Sequence, residues 1–162
     1  MRFLRRIGSR VMKLEEMIFD LSGPKIDSSA VQQLEELLQA ELPADYRQFL
    51  LLHNGGLSKL MGCDQPYLRI RHWYSACDKA QEKRPGLTSL WELYQQRSKR
   101  HGADYLAIGR DLAGMGILLK LRDDHQHAIF YWDWENEGPN QATILFRSFT
   151  EMITNCEYLS EG

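Results

Sequence analysis

The chain has 162 residues, of which 43% are hydrophobic and 26% are charged, and its formal net charge is −2. This is the length and composition of one globular domain with its own core, so an intrinsically disordered chain is excluded. No apolar run approaches the roughly 20 residues of a membrane span, and the balance of charge argues against general nucleic-acid binding.

The first residues predict a basic amphipathic helix. Apolar residues recur every three or four positions from Phe3 to Met17, among several arginines that interrupt the apolar stretch a secretory signal would need. We therefore expect residues 1–26 to form a helical extension that packs on its own domain, with attachment to anionic lipid as the alternative. The three cysteines, Cys63, Cys77 and Cys156, are odd in number and irregularly spaced, which favours reduced thiols and a cytoplasmic location.

Further along the chain, helix and strand patterns follow one another. Capping residues, apolar periodicity and turn residues predict helices over 29–40, 44–53, 88–99 and 148–159. Alternating β-forming residues predict strands over 67–74, 105–108, 117–122, 127–134 and 142–146, with a polar loop over 79–86. Asp123, Asp124 and their neighbours 125–126 have the composition of a hairpin turn. Helices at both ends of a mostly antiparallel set of strands predict the α+β class.

Four segments of this chain together resemble the SUKH superfamily. They are LEELLQAELPADYRQFLLLHNGG, YLAIGRDLAGMGILLKL, AIFYWDWE and RSFTEM, in that order between about residues 28 and 157. The resemblance implies a SUKH-like domain over 27–162 in which the motif residues serve the fold. Those residues are Leu42, Pro43, Tyr46, Asn54, Gly55, Gly56, Gly109, Gly114, Trp132, Ser148 and Phe149.

The resemblance also implies a binding fold with no catalytic activity. The superfamily includes bacterial immunity proteins that block toxins, fungal cell-wall regulators and the Syd protein, which interacts with the secretion channel. Two features depart from the family pattern: Arg147 stands where an acidic residue is common, and residues 1–26 have no counterpart.

The stretch from Phe130 to Glu135 gives the candidate binding site. If it is one strand, alternation places Phe130, Trp132 and Trp134 towards the core and Tyr131, Asp133 and Glu135 on the other face. Residues 121–162 contain two Lys+Arg and eight Asp+Glu, a net charge of −6, whereas residues 1–120 carry +4. A basic protein partner is therefore expected, and a solvated outer face is the structural alternative. The candidate partner-binding residues are Asp123, Asp124, Tyr131, Asp133, Glu135 and Glu137.

The sequence shows no recognisable catalytic or metal-binding pattern. The P-loop, zinc-protease and nucleophile-elbow motifs are absent. Asp133 opens a segment like a calcium loop, but the twelfth position, which needs a bidentate glutamate, is Ile144. Cys63, His72 and Cys77 are too dispersed for a zinc site, and His125 and His127 flank a turn. We expect no metal, no cofactor and no enzymatic activity.

The sequence therefore predicts a protein-binding domain, a monomer or weak dimer without nucleic-acid binding or stable membrane insertion. The specific expectation is a bacterial immunity protein that neutralises a toxin domain with a basic surface. A regulatory or scaffold module of the same fold, without a toxin partner, is the alternative.

Overall fold

The computed structural model describes residues 11–64, 66–77 and 87–160. Four α-helices and eight strands occur in these ranges. The helices are α1 (Ser28–Leu38), α2 (Ala44–Leu52), α3 (Leu90–His101) and α4 (Phe149–Asn155). The strands are β1 (Phe19–Ser22), β2 (Gly56–Asp64), β3 (Tyr67–Trp73), β4 (Tyr105–Asp111), β5 (Gly116–Lys120), β6 (Ile129–Trp132), β7 (Thr143–Phe146) and β8 (Glu157–Tyr158).

The strands form one antiparallel sheet in the order β1-β2-β3-β4-β5-β6-β7, and β8 pairs with β2 beside β1. The first seven strands therefore lie in the sheet in their chain order, and β8 is the exception. This confirms the predicted α+β class with a mostly antiparallel sheet, N-terminal helices and a C-terminal helix.

Helices pack on both faces of the sheet. On one face, the rings of Phe49 in α2 and Phe149 in α4 lie 5.5 and 6.0 Å from Trp73 of β3. On the other face, His101 at the end of α3 lies 5.7 Å from Trp132 of β6, edge to face. Trp132 is fully buried, as its alternation with Tyr131 predicted. Both faces are thus closed by aromatic side chains, which bury large apolar areas.

The N-terminal region differs from the prediction. Residues 14–16 form a single 3-10 turn, and β1 follows and pairs with β2, where a continuous helix through Met17 was expected. Leu14 and Met17 of the predicted apolar face are buried, whereas Val11 is exposed and the neighbouring Met12 is buried in its place, so the periodicity predicted burial only in part and the helix wrongly. An irregular segment can bury every second or third side chain just as a helix does. Residues 1–10 lie outside the described residues, and the domain boundary at 26 stays a prediction.

Besides β1, two further strands were missed. β2 begins at Gly56 directly after the glycine pair, and its sequence GLSKLMGCD lacks the β-branched residues that mark strands. β8 occupies part of the region predicted as the end of the last helix, because α4 ends at Asn155 and Cys156 is already extended. The predicted loop over 79–86 lies outside the described residues.

Candidate protein-binding site

The strand that carries the candidate site is shorter than predicted. β6 ends at Trp132, and residues 134–136 form a turn. Asp133 causes this ending, since its Oδ1 accepts the backbone N–H groups of Glu135 and Asn136 at 2.9 and 3.3 Å. An aspartate that binds nearby backbone amides competes with the strand ladder. The prediction that Asp133, Trp134 and Glu135 continue the alternation of the strand is therefore wrong.

The carboxylate of Asp133 stabilises the turn that follows it. Its Oδ2 also accepts a hydrogen bond of 2.7 Å from the side-chain amide of Asn136. These bonds, the one from the Asn136 side chain first, hold the pKa of the Asp133 carboxyl below its usual value. The carboxylate is thus charged but already well supplied with donors, which leaves less of it for a partner.

Tyr131 is fixed by a residue that the sequence analysis missed. Its hydroxyl donates a 2.7 Å hydrogen bond to Oδ2 of Asp111, at the end of β4. The other oxygen of Asp111 accepts the backbone N–H groups of Ala113 and Met115, which closes the β4–β5 turn. Burial raises the pKa of Tyr131, as do this bond and the nearby charges of Asp133 and Glu137. The composition Asp-Leu-Ala-Gly signals a turn opened by aspartate, but not its contact with Tyr131.

Two glutamates complete this group of residues. Glu135 is exposed, and Glu137 is half-buried. Oε2 of Glu137 is enclosed and makes no hydrogen bond to any residue that the structure describes. An enclosed carboxylate oxygen without a donor is unfavourable, and this oxygen is not accessible at the protein surface. We call this group the acidic edge, defined as Asp111, Tyr131, Asp133, Glu135 and Glu137.

A basic helix borders the acidic edge. The Trp134 ring is half-buried, with its centroid 4.5 Å from that of Trp132, and the guanidinium of Arg97 in α3 lies 3.8 Å over it. Arg100, one turn further along α3, donates to the backbone carbonyl of Trp134. Cations therefore do accompany this aromatic stretch, although they come from another element. Nothing in the sequence of α3 indicates this contact.

The β4–β5 turn also forms one wall of a groove of about 410 Å³. Arg71, His72 and Arg110 line it together with Asp111 and the exposed Leu112. Burial, reinforced by the nearby charge of Arg110, lowers the pKa of His72 to about 4. The surface thus changes from acidic to basic across Asp111.

The remaining two predicted residues lie elsewhere. Asp123 and Asp124 are both exposed in the loop over 121–128, which joins β5 to β6 as predicted. Asp123 has a φ of 66°, the left-handed backbone that aspartate tolerates better than most residues. Arg122 anchors the loop through Asp104 at 3.0 Å and the carbonyl of Leu38 at 2.9 Å. We call this loop the hairpin tip; it lies at the opposite end of β6 from the acidic edge.

The motif residues occupy structural positions. Asn54 is buried, and its side chain donates to the carbonyls of Pro24 and Ala76 and accepts the N–H of Ala76. Gly55 follows with a φ of 70°, and a Cβ there would lie 2.4 Å from the carbonyl oxygen of Tyr74. The others are the buried Leu42, Tyr46, Trp132 and Phe149, the N-caps Pro43 and Ser148, and Gly56, Gly109 and Gly114.

Within 11–64, 66–77 and 87–160, no three His, Cys, Asp or Glu side chains form a group that could hold a metal ion. In the described part of the chain, no helix is long and apolar enough to span a membrane.

Comparison with known families gives one match over most of the chain. The model of the SMI1/KNR4 family (SUKH-1) matches residues 25–155. No curated protein matches the chain. The matched range includes every residue of the acidic edge and of the hairpin tip.

Proposed function

The chain belongs to the SMI1/KNR4 family (SUKH-1), which implies protein–protein interaction, and we propose that it binds a basic protein partner through the acidic edge. The single observation that carries the proposal is the arrangement at the end of β6. Tyr131 is held by Asp111, Glu135 is exposed, and the charge of Glu137 lies close to Tyr131.

The residue types at this end suit a protein interface. Tyr131 and Trp134 are half-buried and Arg97 covers the Trp134 ring; Tyr, Trp and Arg are the residues enriched among those that dominate binding energy. Their positions are fixed before binding by the bond to Asp111 and by the contact with α3. A partner therefore meets side chains that lose little conformational entropy on association.

The negative charge of the last quarter of the chain also supports a basic partner. Residues 121–162 carry a net charge of −6, and the exposed carboxylates at both ends of β6 contribute to it. Such a field speeds the encounter with a basic surface, while close contacts slow dissociation. In this proposal the charges of the hairpin tip raise the association rate, and the residues of the acidic edge contact the partner directly.

The specific function we propose is that of an immunity protein in the cytoplasm of a bacterium. It neutralises a toxin domain by covering the basic surface on which that toxin acts. It works as a monomer or weak dimer, without a cofactor, without nucleic acid and without a catalytic step of its own. The support is the family and the charge of the acidic edge.

Co-expression tests this proposal. The toxin domain encoded beside the gene is produced in a susceptible host with this chain, with a Glu135→Gln/Glu137→Gln variant or with an empty vector. Wild-type chain is expected to restore growth, and the double variant is expected to restore it poorly. Thermal melting of both chains checks that they fold equally well.

Two outcomes would change the proposal. Full rescue by the well-folded double variant would show that another surface binds the toxin. A gene neighbourhood without a toxin domain, together with a non-toxic partner recovered with the purified chain from its host, would favour a regulatory or scaffold module.

A further inference from the structure

Two of the three cysteines face each other across a strand pair. β8 pairs with β2 with Met61 opposite Tyr158 and Gly62 opposite Glu157. Continued one step past the last of these pairs, the antiparallel register sets Cys63 opposite Cys156, and the two thiols lie close enough to affect each other's ionisation. The sequence separates these residues by more than half the chain, so only the fold brings them together.

The register places the two cysteines favourably for a covalent link. The N–H of Leu159 donates to the carbonyl of Leu60, which marks a hydrogen-bonded pair. Pairs alternate along an antiparallel ladder, so the next position, that of Cys63 and the extended Cys156, continues the register as a non-hydrogen-bonded pair. In such pairs the Cα atoms are about 4.5 Å apart and the side chains approach most closely. This lies within the range of about 4.4–6.8 Å between the Cα atoms of disulfides.

The surroundings distinguish the two thiols. Cys63 is 8% exposed and Cys156 is 5% exposed. The hydrogen bond from Cys156, aided by the charge of Arg69, lowers the pKa of the Cys63 thiol despite its burial. The same contact together with burial raises the pKa of Cys156. Cys63 is therefore the thiol that ionises first, and thiolates are the attacking species in disulfide exchange.

We propose that Cys63 and Cys156 form a reversible intrachain disulfide when the protein meets a small-molecule disulfide such as oxidised glutathione. The Cys63 thiolate attacks one glutathione sulfur, forms a mixed disulfide and expels one glutathione thiolate. Cys156 then loses its proton and attacks Sγ of Cys63, which expels the second. The protein loses two hydrogen atoms, and one oxidised glutathione becomes two reduced molecules.

The disulfide would join the segment that leads into β8 covalently to β2. β8 has only two residues and follows α4 directly, so its pairing with β2 rests on few backbone bonds. A disulfide between Cys63 and Cys156 closes a loop that contains β3 to α4. Closing so long a loop restricts the unfolded chain, and an increase in melting temperature of about 5–10 °C is expected. The proposal is independent of the partner and of the acidic edge.

The experiment uses the full chain with Cys77→Ser, which leaves the two cysteines of interest. The reduced protein is equilibrated in glutathione buffers of increasing oxidation, quenched by acid, and analysed by intact mass and by peptide mapping without reductant. We expect loss of two hydrogen atoms, a linked pair of peptides containing Cys63 and Cys156, the higher melting temperature, and reversal by dithiothreitol. Further Cys63→Ser or Cys156→Ser changes provide matched controls, in which no link forms and the melting temperature does not rise.

Burial of both sulfurs can slow the reaction without changing its equilibrium. The same chain is therefore also refolded from denaturant in the same buffers, where access is unrestricted. A linked peptide in either arm, with the rise in melting temperature, supports the proposal. Folded protein that retains both thiols in both arms, or a link that lowers the melting temperature, would overturn it.

Discussion

The two ends of β6 differ although both carry acidic residues. At the acidic edge, every side chain except Glu135 is at least half-buried, and Tyr131 and Asp133 have specific hydrogen-bond partners. At the hairpin tip, Asp123 and Asp124 are exposed. Two groups of acidic residues with the same charge can therefore have different roles, depending on how their side chains are held. A fixed surface can bind by contact, whereas an exposed loop acts mainly through its field.

The largest expected effect lies under the acidic edge. Trp132→Ala should lower the free energy of unfolding by about 3–5 kcal/mol, because it removes a fully buried ring that contacts Trp134 and His101. Denaturant unfolding measures this. Asp124→Ala at the hairpin tip is the control, expected within about 0.5 kcal/mol of the parent. A Trp132→Ala chain as stable as the parent would show that the edge does not depend on the core beneath it.

The sequence predicted the class, most helices and the burial of Trp132, because these depend on periodicity and alternation within short segments. It failed where a single side chain overrides the local pattern. Asp133 ends β6 through its own hydrogen bonds, which removes Glu135 from the strand face. β2 was missed because its residues are poor strand formers, although it is paired along both edges.

The candidate site was predicted only in part for a related reason. Tyr131, Glu135 and Glu137 were identified from charge and alternation. Asp111 and Arg97 reach the site from β4 and α3, and nothing in their own segments indicates contact with residues 131–134. The separation of Asp123 and Asp124 from the edge follows from the length of β6, which composition does not encode.

The second expected effect is a pH dependence of stability that arises in the groove beside the acidic edge. His72 borders the β4–β5 turn, and its pKa of about 4 lies below the usual value of 6.5. Between these values the unfolded chain binds a proton that the folded chain does not, so stability falls as pH is lowered through this window. The loss should be about 1–2 kcal/mol after allowance for screening at a half-buried site.

Urea unfolding of the wild type at several pH values between 6.5 and 4 measures this loss. His72→Gln should flatten the decline, and the same substitution at exposed His125 in the hairpin tip is the matched control. An equal decline in the wild type and the His72→Gln chain would assign the acid sensitivity to other groups.

A third effect tests the bond that fixes the edge. Tyr131→Phe removes the hydroxyl that donates to Asp111 and should cost about 0.5–1.5 kcal/mol of stability. Tyr67→Phe is the control, since Tyr67 is 72% exposed. Thermal unfolding compares the two variants. Equal stability of both would show that the Tyr131–Asp111 bond contributes little in solution.

The smallest expected effect concerns the hairpin tip. Asp123→Lys/Asp124→Lys should slow association with the partner about 2- to 10-fold at low salt and leave dissociation nearly unchanged, because rim charges act on encounter. Surface plasmon resonance at two salt concentrations gives both rates. A large increase in the dissociation rate would instead place the tip inside the contact area.

The most direct test of the central claim compares the two ends of β6 at equal change of charge. Glu135→Gln/Glu137→Gln alters the acidic edge, and Asp123→Asn/Asp124→Asn alters the hairpin tip; each removes two negative charges and preserves side-chain size. Dissociation constants for the identified partner are measured by titration calorimetry on chains of equal thermal stability. The edge variant should bind about 30-fold or more weakly, and the tip variant should bind within about 3-fold of the wild type. Equal losses for both variants, or the larger loss for the tip variant, would contradict the assignment of the binding surface to the acidic edge.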